Sequence, residues 1–172
     1  MADVQTTTLY EQDFYLWALD QARAVRALRD AAAGQGDLTA ALNGIDWDDL
    51  IEELEGLAKR DRRELHSRLM TIVEHLTKLA VSSAKEPRSG WENTIRRERR
   101  EIEILLQQSP SLRREVAELL DSPQVAKTVT ETLRAIQIRM EMGATVDGLP
   151  GRPFTPDQAL NDWWPEQAGN DS

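Results

Sequence analysis

The positions of the prolines limit what this chain can fold into. All seven lie between segments of helical periodicity or in the first turn of such a segment. Proline lacks a backbone N–H, so a helix tolerates it in the first turn but not in the interior. Between these breaks, apolar residues recur at spacings of three and four, the period of one helix face. No stretch shows the strict alternation typical of strands. The sequence therefore predicts an all-α protein.

Capping signals predict where each helix begins and ends. Side chains that can accept a hydrogen bond from the first turn stand at the predicted starts: Thr8 with Glu11, Asp46, Ser89 with Glu92, Ser109 and Ser122. The predicted helices run from Leu9 to about Ala33, Trp47 to about Ala84, about Gly90 to Gln108, Pro110 to about Asp121, and Pro123 to Gly143. A further capping box, Thr155 with Gln158, predicts one terminal turn.

Two apolar stripes identify the faces that we expect in the core. The stripe on the first helix is Tyr10, Phe14, Trp17, Val25, Leu28 and Ala32, with Gln21 as a polar interruption. The stripe on the second helix is Leu50, Leu54, Leu57, Asp61, Leu65, Leu69, Ile72, Leu76 and Leu79. Asp61 is either a buried polar residue that specifies packing or a residue at a wet end of the bundle, and the second reading is the commoner case.

Length and composition predict one domain over residues 1–172. A chain of 172 residues with 40% hydrophobic content buries a core without metal or disulfide support. Short connections such as Lys85 to Ser89 favour antiparallel neighbours. The predicted architecture is an antiparallel up-and-down bundle of about five helices over residues 9–143, followed by a loop and an irregular C-terminal tail over residues 144–172.

Charge and residue usage restrict the location and the partners. The net charge of −9 disfavours nucleic acid and anionic lipid as partners. Cysteine is absent, which fits a reducing compartment, and the cytoplasm is the expected location. The longest run without a polar residue is far shorter than the roughly 20 residues of a membrane-spanning helix. We expect a soluble protein without a nucleic-acid or membrane partner.

Residues at the helix joins resemble a known family. The similarity rests on the start at Tyr10, Asp13, Phe14, Tyr15 and Trp17, on Glu52-Glu53-Leu54-Glu55, Ser67-Arg68-Leu69, His75-Leu76 with Lys78-Leu79, Trp91 with Thr94-Ile95, and Ser109-Pro110-Ser111-Leu112-Arg113. In order and spacing these resemble the bacterial Domain of Unknown Function 29 family (DUF29), over roughly residues 9–113. The resemblance implies a small helical bacterial protein, and it implies no activity, cofactor or catalytic residue.

The sequence contains no recognisable catalytic, cofactor or metal site. A di-metal helical bundle needs Glu-x-x-His pairs, whereas Arg63 and Ile72 stand three residues before His66 and His75. Counting back from a turn at Pro87 instead sets His75 near Glu98, which predicts a structural polar layer under Trp91. The candidate polar layer or binding surface comprises His75, Trp91, Arg96, Arg97, Glu98, Arg99 and Arg100.

Two functions remain open from the residues. The first is a non-enzymatic interaction or adaptor protein. The second is an enzyme or small-ligand-binding protein that uses a polar pocket near His75 and Arg96 to Arg100.

Opposite charges are segregated along the chain. Residues 37–55 contain seven acidic and no basic residues, whereas residues 85–100 contain six basic and three acidic residues. These segments either neutralise each other within one fold or dock between protomers or onto a protein partner.

The terminal tryptophans give a further expectation. Trp163 and Trp164 should fold back onto the bundle, because two adjacent exposed indoles would form a costly apolar patch.

The lack of workable metal-ligand spacing leads to a test of stability. We predict that a chelator such as EDTA leaves the melting temperature of the purified protein unchanged. A fall of several degrees in a thermal melt followed by circular dichroism would contradict this prediction.

Overall fold

A computed structural model describes residues 8–32, 45–82, 84–140 and 154–165. Every regular element in these ranges is helical, which confirms the all-α helical-bundle class. The elements are α1 (Leu9–Gln12), α2 (Phe14–Ala32), α3 (Trp47–Val81), α4 (Arg88–Gln108), a 3-10 segment (Pro110–Arg114), α5 (Glu115–Leu120), α6 (Pro123–Met140) and α7 (Pro156–Leu160). Among them, none has the length and apolar character needed to cross a membrane.

The contacts divide the chain into two compact units. Unit 1 contains residues 1–63 and 105–112, and unit 2 contains residues 64–104 and 113–172. A chain unfolds as one domain when its units unfold cooperatively. A single domain over residues 1–172 therefore stays a prediction.

The first predicted helix is broken at Asp13 in unit 1. Asp13 has an extended backbone that separates α1 from α2, so the prediction of one continuous helix is wrong. Its buried carboxylate caps α2 by accepting a hydrogen bond from the Leu16 N–H at 2.9 Å. The same carboxylate accepts bonds from the Ser111 N–H at 2.6 Å and the Ser111 hydroxyl at 3.0 Å. The break lets one side chain satisfy a helix start and a distant turn together.

Ser109 and Asp61 form a second buried network in unit 1. The Ser109 hydroxyl accepts a bond from the Tyr15 N–H at 3.2 Å and donates one to Asp61 at 3.1 Å. Asp61 is only 6% exposed, so its predicted position at a wet end of the bundle is wrong and the alternative of a buried polar residue is correct. That it specifies the packing stays a prediction. Because the Ser109 hydroxyl is engaged in this way, it does not cap the 3-10 segment as predicted.

In unit 2 the predicted stripe of α3 forms the core. Its members in this unit are all buried: Leu65, Leu69, Ile72, Leu76 and Leu79. Other fully buried side chains of the unit come from α4, α5 and α6: Ile95, Ile102, Val116, Leu120 and Val125.

Two predicted helix starts in unit 2 had different outcomes. Helix α4 begins at Arg88, so Ser89 lies inside it and the predicted Ser89–Glu92 capping box is wrong. The Thr155–Gln158 capping box is confirmed, with the Thr155 N–H donating to the Gln158 side chain at 2.9 Å. The predicted joins at residues 33–44 and the linker at 141–153 lie outside the described residues.

The two roles of Asp13 predict a stability difference between two caps. Asp46 caps α3 through a similar bond to the Asp49 N–H at 3.2 Å, but it is exposed. We expect Asp46→Ala to cost about 1 kcal/mol of unfolding free energy, the value of a cap alone. Asp13→Ala should cost roughly 2 to 4 kcal/mol, because Ser111 also loses its acceptor in a buried place. Urea denaturation measures both, and equal costs would contradict the second role of Asp13.

Candidate functional site

In unit 2 the buried Glu98 of α4 pairs with arginine side chains and not with His75. Glu98 is only 7% exposed, and its carboxylate accepts from Arg68 at 2.9 Å and from Arg97 at 2.9 and 3.0 Å. Arg68 also pairs with Glu64 at 2.8 Å. Burial alone would lower the pKa of Arg68, but its bonds to Glu64 and Glu98 outweigh burial and raise this pKa. The buried carboxylate is thus compensated by guanidinium groups.

His75 forms a hydrogen bond within its own helix and not with Glu98. Its Nδ1 lies 2.9 Å from the carbonyl oxygen of Thr71, one turn earlier in α3. Since a carbonyl oxygen only accepts, Nδ1 carries the hydrogen in this contact. Arg68 therefore replaces His75 as the partner of Glu98, and the predicted histidine–glutamate pairing is corrected.

Arg99 anchors the C-terminal tail to α4. Its Nε donates to the Ala159 carbonyl oxygen at 3.0 Å, and its Nη2 donates to those of Gln158 and Trp163 at 2.9 Å each. The guanidinium carbon lies 4.9 Å from the centroid of the Trp164 ring, a cation–π distance. Burial lowers the pKa of Arg99. This arginine satisfies backbone carbonyls that the short helix α7 leaves without partners.

Both terminal tryptophans fold back as expected. Trp163 lies 5.9 Å from the ring of Phe154, which is buried. Trp164 lies beneath Arg99 and also beneath Arg96, whose guanidinium carbon is 5.0 Å from its ring centroid. The tail over residues 154–165 is therefore part of unit 2.

The seven predicted site residues make separate sets of contacts in the described part of unit 2. Arg96 and Arg99 meet at Trp164, and Arg97 joins Glu98. Arg100 is exposed, while Trp91 is half-buried. No hydrogen bond or ion pair among the described residues connects His75 or Trp91 to the arginines. Within the same ranges, no group of three or more His, Asp or Glu residues is placed to hold a metal ion.

Unit 1 contains an apolar surface that sequence reasoning assigned to the core. Leu28 is 47% exposed and Leu50 is 40% exposed, although both belong to the predicted core stripes. Along the stripe of α3, exposure falls from Leu50 through the half-buried Leu57 to the buried Asp61, where Ser109 contacts it. The stripe is thus covered at one end and uncovered at the other.

Ion pairs fix the arrangement of α2 and α3 in this unit. Arg26 pairs with Glu55, and Arg29 pairs with Asp48 at 2.8 Å, so the two helices are antiparallel neighbours. At about 100° per residue, Leu50 lies well over 90° around α3 from both acidic partners. Leu28 is likewise turned away from Arg26 and Arg29 around α2. The exposed Leu28 and Leu50 therefore lie on the side opposite the ion pairs. The half-buried Leu57, seven residues after Leu50, lies on the same side of α3, and we call Leu28, Leu50 and Leu57 the leucine face.

Aromatic rings continue this side of α2 toward its start. Trp17 is eleven residues before Leu28, which returns to nearly the same side of a helix. Trp17 lies 4.9 Å from the ring of Tyr10 and 5.7 Å from that of Phe14. Tyr10 is exposed. Apolar surface thus extends along α2 in the direction of the aromatic cluster.

A family model for the domain of unknown function DUF29 matches residues 9–164. The chain belongs to the DUF29 family. The match extends beyond the region on which the sequence resemblance rested and includes α6, α7 and both terminal tryptophans. Comparison with curated proteins and with solved structures gave no match. The description of the family names no activity, so the evidence on the function of this DUF29 chain lies in its own surfaces.

The anchoring of the tail predicts a loss of stability on truncation. Removal of the chain after Arg152 should lower the unfolding free energy by about 3 kcal/mol, because Phe154 and Trp163 lose their burial. An unchanged melting temperature, or fluorescence showing that both terminal indoles are fully solvated, would contradict the anchored tail.

A point substitution isolates the contribution of Arg99. Arg99→Lys should cost about 1 to 3 kcal/mol, because an ammonium group cannot reproduce the forked bonds to three carbonyl oxygens. The neighbouring Arg100→Lys is the matched control and should stay within about 0.5 kcal/mol. Equal thermal melts of the two variants would show that the bonds of Arg99 contribute nothing.

Proposed function

We propose that this DUF29 protein is a non-enzymatic bacterial interaction protein that binds another protein through the leucine face. The observation that carries the proposal is the joint exposure of Leu28 and Leu50 on one side of the α2–α3 pair. Single exposed leucines are common on protein surfaces and need no explanation. Here, however, Leu50 continues the stripe of α3 that is buried further along the helix, and Leu28 lies on the same side of the helix pair, which is the pattern of a surface that becomes covered on binding.

Composition supports the location and the class of partner that we propose. A chain without cysteine fits the bacterial cytoplasm, where thiols stay reduced and disulfides contribute little. A net charge of −9 disfavours a polyanion such as nucleic acid or an anionic membrane as the partner. A protein surface remains the class that suits both the charge and the apolar face.

The arginines of α4 support an interaction role less well. Arg99 donates to three backbone carbonyl oxygens, and Arg97 is paired with Glu98. Arg96 pairs with Glu92 at 3.6 Å and lies over Trp164. These contacts give Arg96, Arg97 and Arg99 structural roles within unit 2. We therefore place binding on the acidic segment, within residues 45–55, rather than on docking of the two segments to each other.

A site-specific crosslinker tests the proposed surface. We expect benzoylphenylalanine at position 50 to form a stoichiometric crosslink to one protein in cells of the native host. Position 104 is the matched control, because Ile104 is 43% exposed, lies in unit 2 and is outside the leucine face. Leu28→Ser in the protein labelled at position 50 should abolish the crosslink, since it removes part of the same apolar contact. Equal crosslinking from positions 50 and 104 would contradict the proposed function.

A further inference from the structure

We infer that the segment bound by the leucine face is a basic amphipathic helix of a different protein. The inference rests on the proposed function and adds the chemistry of the partner. It depends on the acidic side chains that border the leucine face and on how the other acidic side chains of α3 are already neutralised.

The acidic residues at positions 46–55, in the cap and first turns of α3, fall into two groups. Glu55 and Asp48 are neutralised by Arg26 and Arg29 on the side of the ion pairs. The hydrogen bond from Arg26, followed by that from Lys59, lowers the pKa of Glu55. The second group, Asp46, Asp49, Glu52 and Glu53, is exposed and forms no ion pair with a lysine or arginine among the described residues. We call the three members nearest to Leu50 around the helix, Asp46, Asp49 and Glu53, the acidic rim.

The acidic rim lies beside the leucine face because of its helical positions. Asp46 is four residues before Leu50 and Glu53 is three residues after it, so both are its neighbours on the surface of α3. Asp49 lies further around, about 100° from Leu50. Glu52 is about 160° from Leu50 and therefore lies outside the rim. Apolar centre and acidic edge thus occur together on one side of the helix, which is the complement of leucines flanked by lysines or arginines.

The shape of the surface favours a helix as the bound element. Leu50 and Leu57 are seven residues apart, about 10 Å along α3, and Leu28 lies across from them on α2. Two antiparallel helices with leucines on one side offer a shallow groove. A helix binds such a groove through apolar residues at spacings of three, four and seven.

A second copy of the chain suits this surface poorly. A twofold contact brings the same patch of each subunit together, so the acidic rim would meet another acidic rim. Two copies also carry a net charge of −9 each, which opposes association. A basic partner gains from the same charges that repel a copy, and attraction between complementary surfaces raises the rate of association.

Binding of designed peptides to the full-length protein tests this inference. The probe is a fluorescent amphipathic peptide of roughly 18 residues, about five helical turns, with leucines on one face and lysines elsewhere. One control peptide has the same composition in scrambled order, and another replaces every lysine with glutamate. We expect fluorescence anisotropy to detect binding of the patterned lysine peptide in the micromolar range, weakening as salt increases.

Paired protein variants separate the apolar and the charged contributions. Leu28→Ser with Leu50→Ser should weaken binding of the lysine peptide at least about tenfold. Asp49→Asn with Glu53→Gln should weaken it several-fold and reduce its salt dependence. Glu52→Gln with Glu103→Gln changes the net charge equally at exposed sites outside the rim and should leave binding nearly unchanged. Thermal melts check that each variant is folded.

A charge reversal gives a gain of binding that misfolding cannot imitate. The variant with Asp49→Lys and Glu53→Lys should lose the lysine peptide and acquire the glutamate peptide. If the reversal does not change the preference, or if both acidic pairs weaken binding equally, the inference is wrong because attraction is then non-specific. Failure of the lysine peptide to bind at about 1 mM in low salt also overturns it.

The remaining outcomes distinguish this inference from the proposed function. If the lysine and glutamate peptides bind equally and both depend on Leu28 and Leu50, the leucine face binds proteins but the basic partner is wrong. A crosslink from position 50 to an acidic or neutral segment of another protein also overturns the basic partner while supporting the proposed function. A crosslink to a second copy, with sedimentation showing a dimer that Leu50→Ser abolishes, overturns the inference and assigns the face to self-association.

Discussion

Helix α3 imposes the main physical constraint on this protein, because a long apolar stripe is stable only where other parts of a structure bury it. Its 35 residues span about 52 Å, longer than most helices in globular proteins. From Leu65 to Leu79 every stripe residue is buried in unit 2. In unit 1 the stripe is buried at Asp61, which accepts a hydrogen bond from Ser109. At Leu50 the stripe is left open. The leucine face is thus the end of a core stripe.

Helix periodicity made the faces predictable but not the partners. Arg68 and His75 are seven residues apart, so they lie on nearly the same side of α3 two turns from each other. Counting from Pro87 identified the correct face for the partner of Glu98 but placed it two turns away. The reach of an arginine side chain adds to this ambiguity, because its guanidinium group lies far from its backbone. The face of α3 that meets Glu98 was predictable from the sequence, whereas the residue on that face that pairs with Glu98 required coordinates.

Capping residues were the least predictable elements, for a related physical reason. The side chains that cap helices also satisfy buried turns, and local sequence does not distinguish the two uses. Thr155 and Gln158 satisfy each other within one turn, so that start was predictable. Asp13 and Ser109 instead bond residues 98 and 48 positions away, respectively. Both belong to the residues on which the family resemblance rests, and in this chain they join parts of unit 1 that are distant in sequence.

The hydrogen bonds between Arg99 and the tail determine how the tail responds to pH. Its three hydrogen-bond acceptors are backbone carbonyl oxygens, which carry no titratable proton. An arginine stays protonated throughout the range in which proteins fold. These bonds therefore keep their donors and acceptors in mild acid as well as at neutrality. Residues 158–163 are therefore held to α4 by hydrogen bonds that persist on acidification.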